Sequence, residues 1–466
     1  MKTLRIFISL AIVLAAGADV LAGADGGGGG LSAKAIEKLR NSLQMDARTK
    51  NAIDALSQNE VKDLVIDTEA RKGVVNLFSD KIDAKGITNQ NKSGRCWMFA
   101  TLNTLRPAIM KRLRLEKFEF SYNFLFFYDK LEKSNLFLEK MIELADRSLS
   151  DDRELEWWLR TPAGDGGQWN MAVELIEKYG LVPLYAMPEN VQSKESRYMN
   201  AALFRRLRKG ALAIRTQHAR GATLAELRVE KTRILEDVYR ILALNLGVPP
   251  ATFEWRYQPK KGKASKPKIM TPVDFFRKVV RVDLDRYLYL MNSPNHPMGK
   301  LYRIKVDRSL QDSRGMVFAN VPIADLKKFA MHSVKRGQAP WFGADVGKDY
   351  DAGGWLAPEF SALSRLYGVD FSMDKAERLS FRESLPTHAM VFIGVDIKDG
   401  KPRKWLVENS WGDERGNKGL WTMTDRWFDE YVYALIVDKK YLPAEVIKIF
   451  DQKPTDLPYY DPVWAR

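Results

Sequence analysis

Four residues in this chain have types and spacing suited to acyl transfer: Gln90, Cys96, His388 and Asn409. Cys96 is the single cysteine and lies in Gln90-Asn91-Lys92-Ser93-Gly94-Arg95-Cys96-Trp97. The turn former Gly94 precedes it and a helical apolar pattern follows, which puts the sulfur at a helix N-terminus. Unpaired N–H groups and the helix dipole stabilise a thiolate there, and the thiolate is the reactive form. A lone cysteine is otherwise a small buried hydrophobe, so the argument needs the other residues. His388 lies in Pro386-Thr387-His388-Ala389-Met390, at the mouth of an apolar run. Asn409 lies in Val407-Glu408-Asn409-Ser410-Trp411-Gly412, at the end of a second run. If the two runs pair, residues 388 and 409 come together. An asparagine oxygen then accepts from one ring nitrogen and leaves the other facing a thiolate, which is orienter, base and nucleophile in order. Trp411 is placed to shield that polar pair. Gln90, six residues before Cys96, offers its amide to a developing oxyanion beside the Cys96 N–H.

These positions require particular elements. Residues 32–43 carry an N-cap serine and apolar residues at helical spacing (Ile36, Leu39, Leu43), and helical pattern continues to about 81. Residues 96–113 read as a long buried helix kinked at Pro107. Residues 118–137 are dense in aromatics and read as core helix. Residues 195–246, rich in Ala, Leu, Arg and Glu, read as two helices of an inserted subdomain that extends to about 290. Residues 253–257 and 268–270 read as strands around a basic turn. In the last third, 389–395 is a continuous apolar run, 398–402 carries turn residues, and 405–407 is a second run: a hairpin. Residues 420–423 and 434–437 read as further strands. Helices first and strands last argue for α+β rather than alternating βαβ.

Composition narrows the class. The 466 residues are 45% hydrophobic, 29% charged and 11% aromatic, which is globular rather than disordered or coiled coil. One cysteine excludes an intramolecular disulfide and a thiolate-rich metal centre, and four scattered histidines leave little for a histidine-based one. No cofactor is expected. Lys and Arg total 74 against 59 Asp and Glu, a net charge of +15. The basic clusters near 205–209 and 260–268 read as a solvated helix face and a loop. A nucleic-acid partner lacks a motif of its own here. At the N-terminus, residues 1–5 are basic, 6–16 are apolar but short for a membrane span, and small residues follow to Ala24. Residues 1–24 therefore read as a cleaved signal peptide and 25–31 as a glycine-rich linker, which implies export to the periplasm or beyond and no membrane span in the mature chain.

Taken together, Gln…Cys-Trp, His-Ala and Asn-Ser-Trp-Gly in that order resemble the papain-like cysteine peptidases. Two departures point to a branch of that group. Ser93 stands where the mature papain signature has a second cysteine, and the Cys-to-His distance far exceeds the usual roughly 130–150 residues. The chain resembles the bleomycin hydrolase and aminopeptidase C family over about 32–466. Further matches are the Phe124-to-Lys130 segment, Asp165-Gly166-Gly167-Gln168-Trp169, Tyr179-Gly180-Leu181-Val182-Pro183, Met373-to-Leu379 and Asp461-Pro462.

The resemblance implies a papain-like fold with a helical left part, an antiparallel, barrel-like right part, a helical insertion and N- and C-terminal arms. It implies Cys96 as nucleophile, His388 as base and acid, Asn409 as orienter and Gln90 as oxyanion donor, acting through an acyl-enzyme on peptides. Gly166, Gly167, Thr387 and Trp411 would line the substrate cleft. It also implies a homohexamer with internal sites. The C-terminal arm, 461–466, would lie in the cleft with the Arg466 carboxylate facing the substrate's free α-amino group. The arm's bulky Trp464 and cationic Arg466 depart from the small apolar ending of the family. An open-cleft endopeptidase or acyl-transferase, and a basic nucleic-acid-binding protein on the same scaffold, are the alternatives.

Overall fold

The structure, a computed structural model, describes residues 29–72, 75–83, 86–351 and 353–464. The expected signal peptide and the Arg466 anchor lie outside the described residues. The chain divides into two compact units.

The smaller unit comprises the described residues up to Ile66 together with Ala362–Asp370. Helix α1 (Ala33–Ser42) starts where expected, because the Ser32 hydroxyl accepts from Ala35 N at 3.1 Å and replaces a missing intrahelical partner. Helix α2 (Ala47–Gln58) is capped in the same way by Asp46 on Thr49 N. Ile36, Leu39 and Leu43 are exposed.

The larger unit holds the remaining described residues. Helix α3 (Cys96–Leu113) runs through Pro107 and buries almost its whole circumference, as its lack of a polar face requires. Helix α4 (Tyr122–Glu143) begins after the Ser121 cap, and its Tyr122 ring stacks on Phe99 of α3 at 3.7 Å. Helices α5 (Trp169–Tyr179), α6 (Arg197–Ala219) and α7 (Leu224–Leu246) follow. The expected helical pair at 195–246 is α6 and α7, which pack on each other and on α4 within this unit. The strands Phe253–Trp255 and Lys268–Met270 pair antiparallel around the basic turn.

A twelve-stranded, mostly antiparallel sheet forms the other layer. Its central strands are β1 (Trp341–Ala344), β2 (His388–Lys398), β3 (Lys401–Glu408), β4 (Leu420–Thr424) and β5 (Val432–Asp438), in the spatial order β5-β1-β2-β3-β4. The expected hairpin is β2–β3. Asp399 and Gly400 form its two-residue turn with φ of 52° and 75°, the handedness that matches strand twist and that glycine adopts without strain. Register pairs Val391 with Glu408 across the hairpin and His388 with Ala344 of β1. Phe342 and Phe392 stack at 3.8 Å between β1 and β2. Helix α3 packs across β2, which brings its N-terminus to the end of the hairpin. No helix of the described residues is long and apolar enough to cross a membrane.

Candidate active site

Cys96 is the first residue of α3, with Arg95 in the cap position, and is partly exposed. The first N–H groups of a helix have no partner within it, so the sulfur sits where a negative charge is favoured. His388 opens β2 and Asn409 directly follows β3; both are buried. The hairpin register brings them together as the sequence implied. His388 Nε2 and Asn409 Oδ1 lie 2.8 Å apart, and the same oxygen accepts from Ser410 N at 2.7 Å. That second bond fixes which end of the amide faces the ring. Nε2 then donates, and Nδ1 is the nitrogen left for Cys96.

Burial alone would push the imidazole's pKa down. The negative charge on Cys96 and hydrogen bonds to Cys96 and Asn409 outweigh it and hold His388 above its ordinary value. The charged imidazolium is thereby favoured beside the Cys96 sulfur. The Trp411 ring lies 4.9 Å from the imidazole and is itself braced edge-on by Trp421 at 5.4 Å. Trp411 thus stands against the imidazole ring, on the segment that also carries Asn409.

Gln90 is buried between the cysteine loop and the asparagine segment. Its Oε1 accepts from Ser410 Oγ at 2.7 Å, its Nε2 donates to Ser93 O at 2.7 Å, and its backbone N donates to Ser410 O at 2.8 Å. An amide nitrogen has two hydrogens, and the Ser93 bond takes one. Thr387 is exposed and its hydroxyl donates to Asp345 Oδ1 at 3.2 Å, so it stands beside His388 while engaged away from it.

The glycine-rich segment is joined to the cysteine loop through Asp165. Gly94 N donates to Asp165 Oδ2 at 3.1 Å and Trp97 Nε1 to Asp165 O at 2.8 Å. Gly167 is a packing glycine, because a Cβ there would stand 2.6 Å from the Trp97 ring. Gly166 O accepts from Lys133 Nζ at 2.7 Å. Gly164, Asp165 and Gly166 line a cavity of about 550 Å³ together with Trp157, Trp158 and Trp464. The described end of the C-terminal arm therefore reaches this wall. Asp461 ties it down by hydrogen bonds with His296 Nε2 (3.0 and 3.1 Å) and Val463 N.

Sequence reasoning missed the buried ions that hold these segments. Lys130 Nζ pairs with Asp165 Oδ1 at 2.5 Å, and Lys133 Nζ bonds Asp129 and the carbonyls of Gly164 and Gly166. Burial would raise the Asp165 carboxyl, but the Lys130 charge first, then hydrogen bonds from Lys130, Ser196 and Asn200, hold it well below the usual carboxylate range. Arg95 forms a two-pronged pair with Glu189 at 2.7 and 3.0 Å. In sequence these are ordinary charged residues, and nothing local marks them as buried. Among the described residues no cluster of three or more His, Cys, Asp and Glu side chains is disposed to hold a metal ion.

A thiol at a helix N-terminus, an imidazole hydrogen-bonded to it and an amide that orients that imidazole can attack and release an acyl group. The chain is similar to known proteins along nearly its whole length. Aminopeptidase C of Lactobacillus delbrueckii subsp. lactis is 38% identical over 93% of this chain and 98% of its own. Human bleomycin hydrolase is 37% identical over 94% and 98%. Among solved structures, PepW of Lactobacillus rhamnosis matches with a TM-score of 0.90 and 39% identity, over 93% of this chain and 99% of its own. The α+β, papain-like fold expected from the sequence is the fold of this chain. The model of the Peptidase C1-like family matches residues 30–464, nearly all that the structure describes, and the chain belongs to that family.

Proposed function

We propose that this protein is a thiol-dependent aminopeptidase that releases N-terminal residues from peptides. One observation carries the reading: the buried His388–Asn409 bond of 2.8 Å, with its imidazole turned to a thiol at a helix N-terminus. The Cys96 thiolate attacks the carbonyl carbon of the first peptide bond. The resulting oxyanion is met by Gln90 Nε2 and the Cys96 N–H. The bond to nitrogen breaks as the His388 imidazolium gives its proton to the leaving amine, which leaves a thioester on Cys96. Water, deprotonated by His388, attacks that thioester, releases the amino acid and restores the thiol.

Restriction to the first residue is assigned to the C-terminal arm, whose Arg466 carboxylate would pair with the substrate's ammonium. Trp464 in the wall shared with Gly166 supports that placement. Gly166 and Gly167 shape the cleft wall, and Trp411 and Thr387 flank the base. Export by a signal peptide at 1–24 and assembly as a homohexamer complete the proposal. Intact mass of the secreted protein and sedimentation velocity check these two points.

The deciding experiment is hydrolysis of fluorogenic aminoacyl and acetyl-aminoacyl substrates in reductant, beside Cys96→Ser. Turnover of free amines only, abolished in the variant, is the expected result. Equal cleavage of acetylated substrates would overturn the aminopeptidase assignment, and turnover that survives the substitution would overturn the role of Cys96.

A further inference from the structure

Helix α3 and strand β3 deliver the thiol and the asparagine from opposite layers, and a single ion pair joins them directly. Arg106 lies on α3, ten residues and about 15 Å along the axis from Cys96. Glu408 is the last residue of β3 and immediately precedes Asn409. Arg106 Nη2 donates to Glu408 Oε1 at 2.6 Å, with both side chains 1% exposed.

The pair extends into a buried chain. Arg106 Nη1 donates to Asn103 Oδ1 at 3.1 Å, and Tyr122 of α4 donates to the same oxygen at 3.0 Å. Asn103 Nδ2 donates to Thr88 Oγ1 at 3.0 Å. Thr88 stands two residues before Gln90, and its carbonyl accepts from Gly412 N at 3.0 Å, just past Trp411. One connected set of polar groups therefore touches the segments that carry Gln90, Cys96 and Asn409.

Stability is a poor reason for this arrangement. A buried ion pair roughly breaks even against apolar residues of equal volume. This one is also incompletely satisfied: Glu408 Oε2 and Arg106 Nε have no hydrogen-bond partner among the described residues. What the pair supplies and an apolar contact would not is a fixed distance and direction between α3 and the end of β3.

We propose that Arg106 and Glu408 are positioning residues for the catalytic group. Their bond sets the place of Asn409 relative to Cys96, and through the His388–Asn409 bond it sets the imidazole against the sulfur. The inference rests on the proposed function only in taking Cys96, His388 and Asn409 as the reacting set.

The test uses Arg106→Met, Glu408→Gln and Arg106→Lys in the full chain. The pH dependence of Cys96 alkylation by iodoacetamide reads thiolate formation without any turnover. In folded Arg106→Met and Glu408→Gln the alkylation midpoint is expected to rise by about one pH unit toward that of a free thiol. kcat should fall about tenfold or more while KM moves less than about twofold, as for a group acting on the reacting set rather than on substrate binding. Arg106→Lys, which keeps the charge and loses the fork, should fall between these and wild type. Either single variant, folded and with the wild-type alkylation profile and kcat, overturns the proposal. If both singles fail to fold, Arg106→Met with Glu408→Leu leaves no charge unpaired and is read the same way. Failure of that double variant to fold would assign the pair to stability and also overturn the proposal. A wild-type thiol that ionises at low pH but hydrolyses no peptide would sink the aminopeptidase reading and leave the alkylation result to decide this one.

Discussion

His388 stands between opposing influences, because burial disfavours its charged form while the Cys96 charge and two hydrogen bonds favour it, and the balance lies above the ordinary value. The Asn409 bond is to the ring N–H that the cation keeps, so removing it favours the neutral ring. In Asn409→Ala the His388 pKa should fall and the alkaline limb of the kcat/KM profile should move to lower pH. kcat/KM at its optimum should drop on the order of 10–100-fold as the ring loses its orientation. A pH series on one fluorogenic substrate checks both, and an unmoved alkaline limb would deny Asn409 its part in holding the proton. Gly167 makes a different claim. A Cβ there would meet the Trp97 ring at 2.6 Å, and Trp97 is tied to Asp165 and is 1% exposed, so it has nowhere to move. Gly167→Ala should cost about 1–3 kcal/mol by overpacking, read as a lower urea midpoint. A neutral result would mean the wall is looser than the packing implies.

Elements explain which residues were legible in the sequence and which were not. The β2–β3 hairpin was, because its period, its Asp-Gly turn and its length are local properties of about twenty residues. Helix α3 was legible for the same reason, and with it the position of Cys96. The strands Tyr287–Met291, Lys300–Ile304 and Met316–Asn320 and the helix Ile323–Lys335 went unread. Strand Lys300–Ile304 owes part of its pairing to Thr455–Leu457, some 150 residues away, and no local pattern announces such a partner. The supports of the glycine-rich wall were hidden by a coincidence of spacing. Asp129 and Lys133 stand four apart on α4, which in sequence reads as a solvated helix pair. In the structure they are 0% and 9% exposed, and Lys133 Nζ also bonds the carbonyls of Gly164 and Gly166. Lys133→Met would strand a buried carboxylate and two carbonyls, so it should cost roughly 3–5 kcal/mol. Combining it with Asp129→Leu should recover much of that loss in chemical denaturation. No recovery would show that the carbonyl bonds, rather than the ion pair, carry the effect.

At the scale of the molecule, taking a cation out of water is costly, and the half-buried Lys375 shows how that cost depends on pH. Its Nζ donates to Val432 O at 2.6 Å and Asn292 Oδ1 at 3.0 Å and lies 4.7 Å over the Tyr433 ring, with no carboxylate among its hydrogen-bond partners. Burial pushes the ammonium down to about 7, against the pull of Asp429 and Glu430. The sign follows from proton binding. Between about pH 7 and the ordinary lysine value of about 10.4, the unfolded chain holds a proton that the folded chain has released. Stability from this site therefore rises with pH across that window and is lost as pH falls back through about 7. Other groups titrate over the same range, so the measurement is a difference between two proteins. The melting temperature of wild type minus that of Lys375→Met should increase from pH 7 to pH 10, by about 2–6 °C for a chain of this size. Both hydrogen bonds survive loss of the proton, since a neutral amine still donates, while the pull of the Tyr433 ring goes with the charge, so the change in the difference reports the charge and not the packing. A difference that stays flat would mean the ammonium is solvated in the folded state.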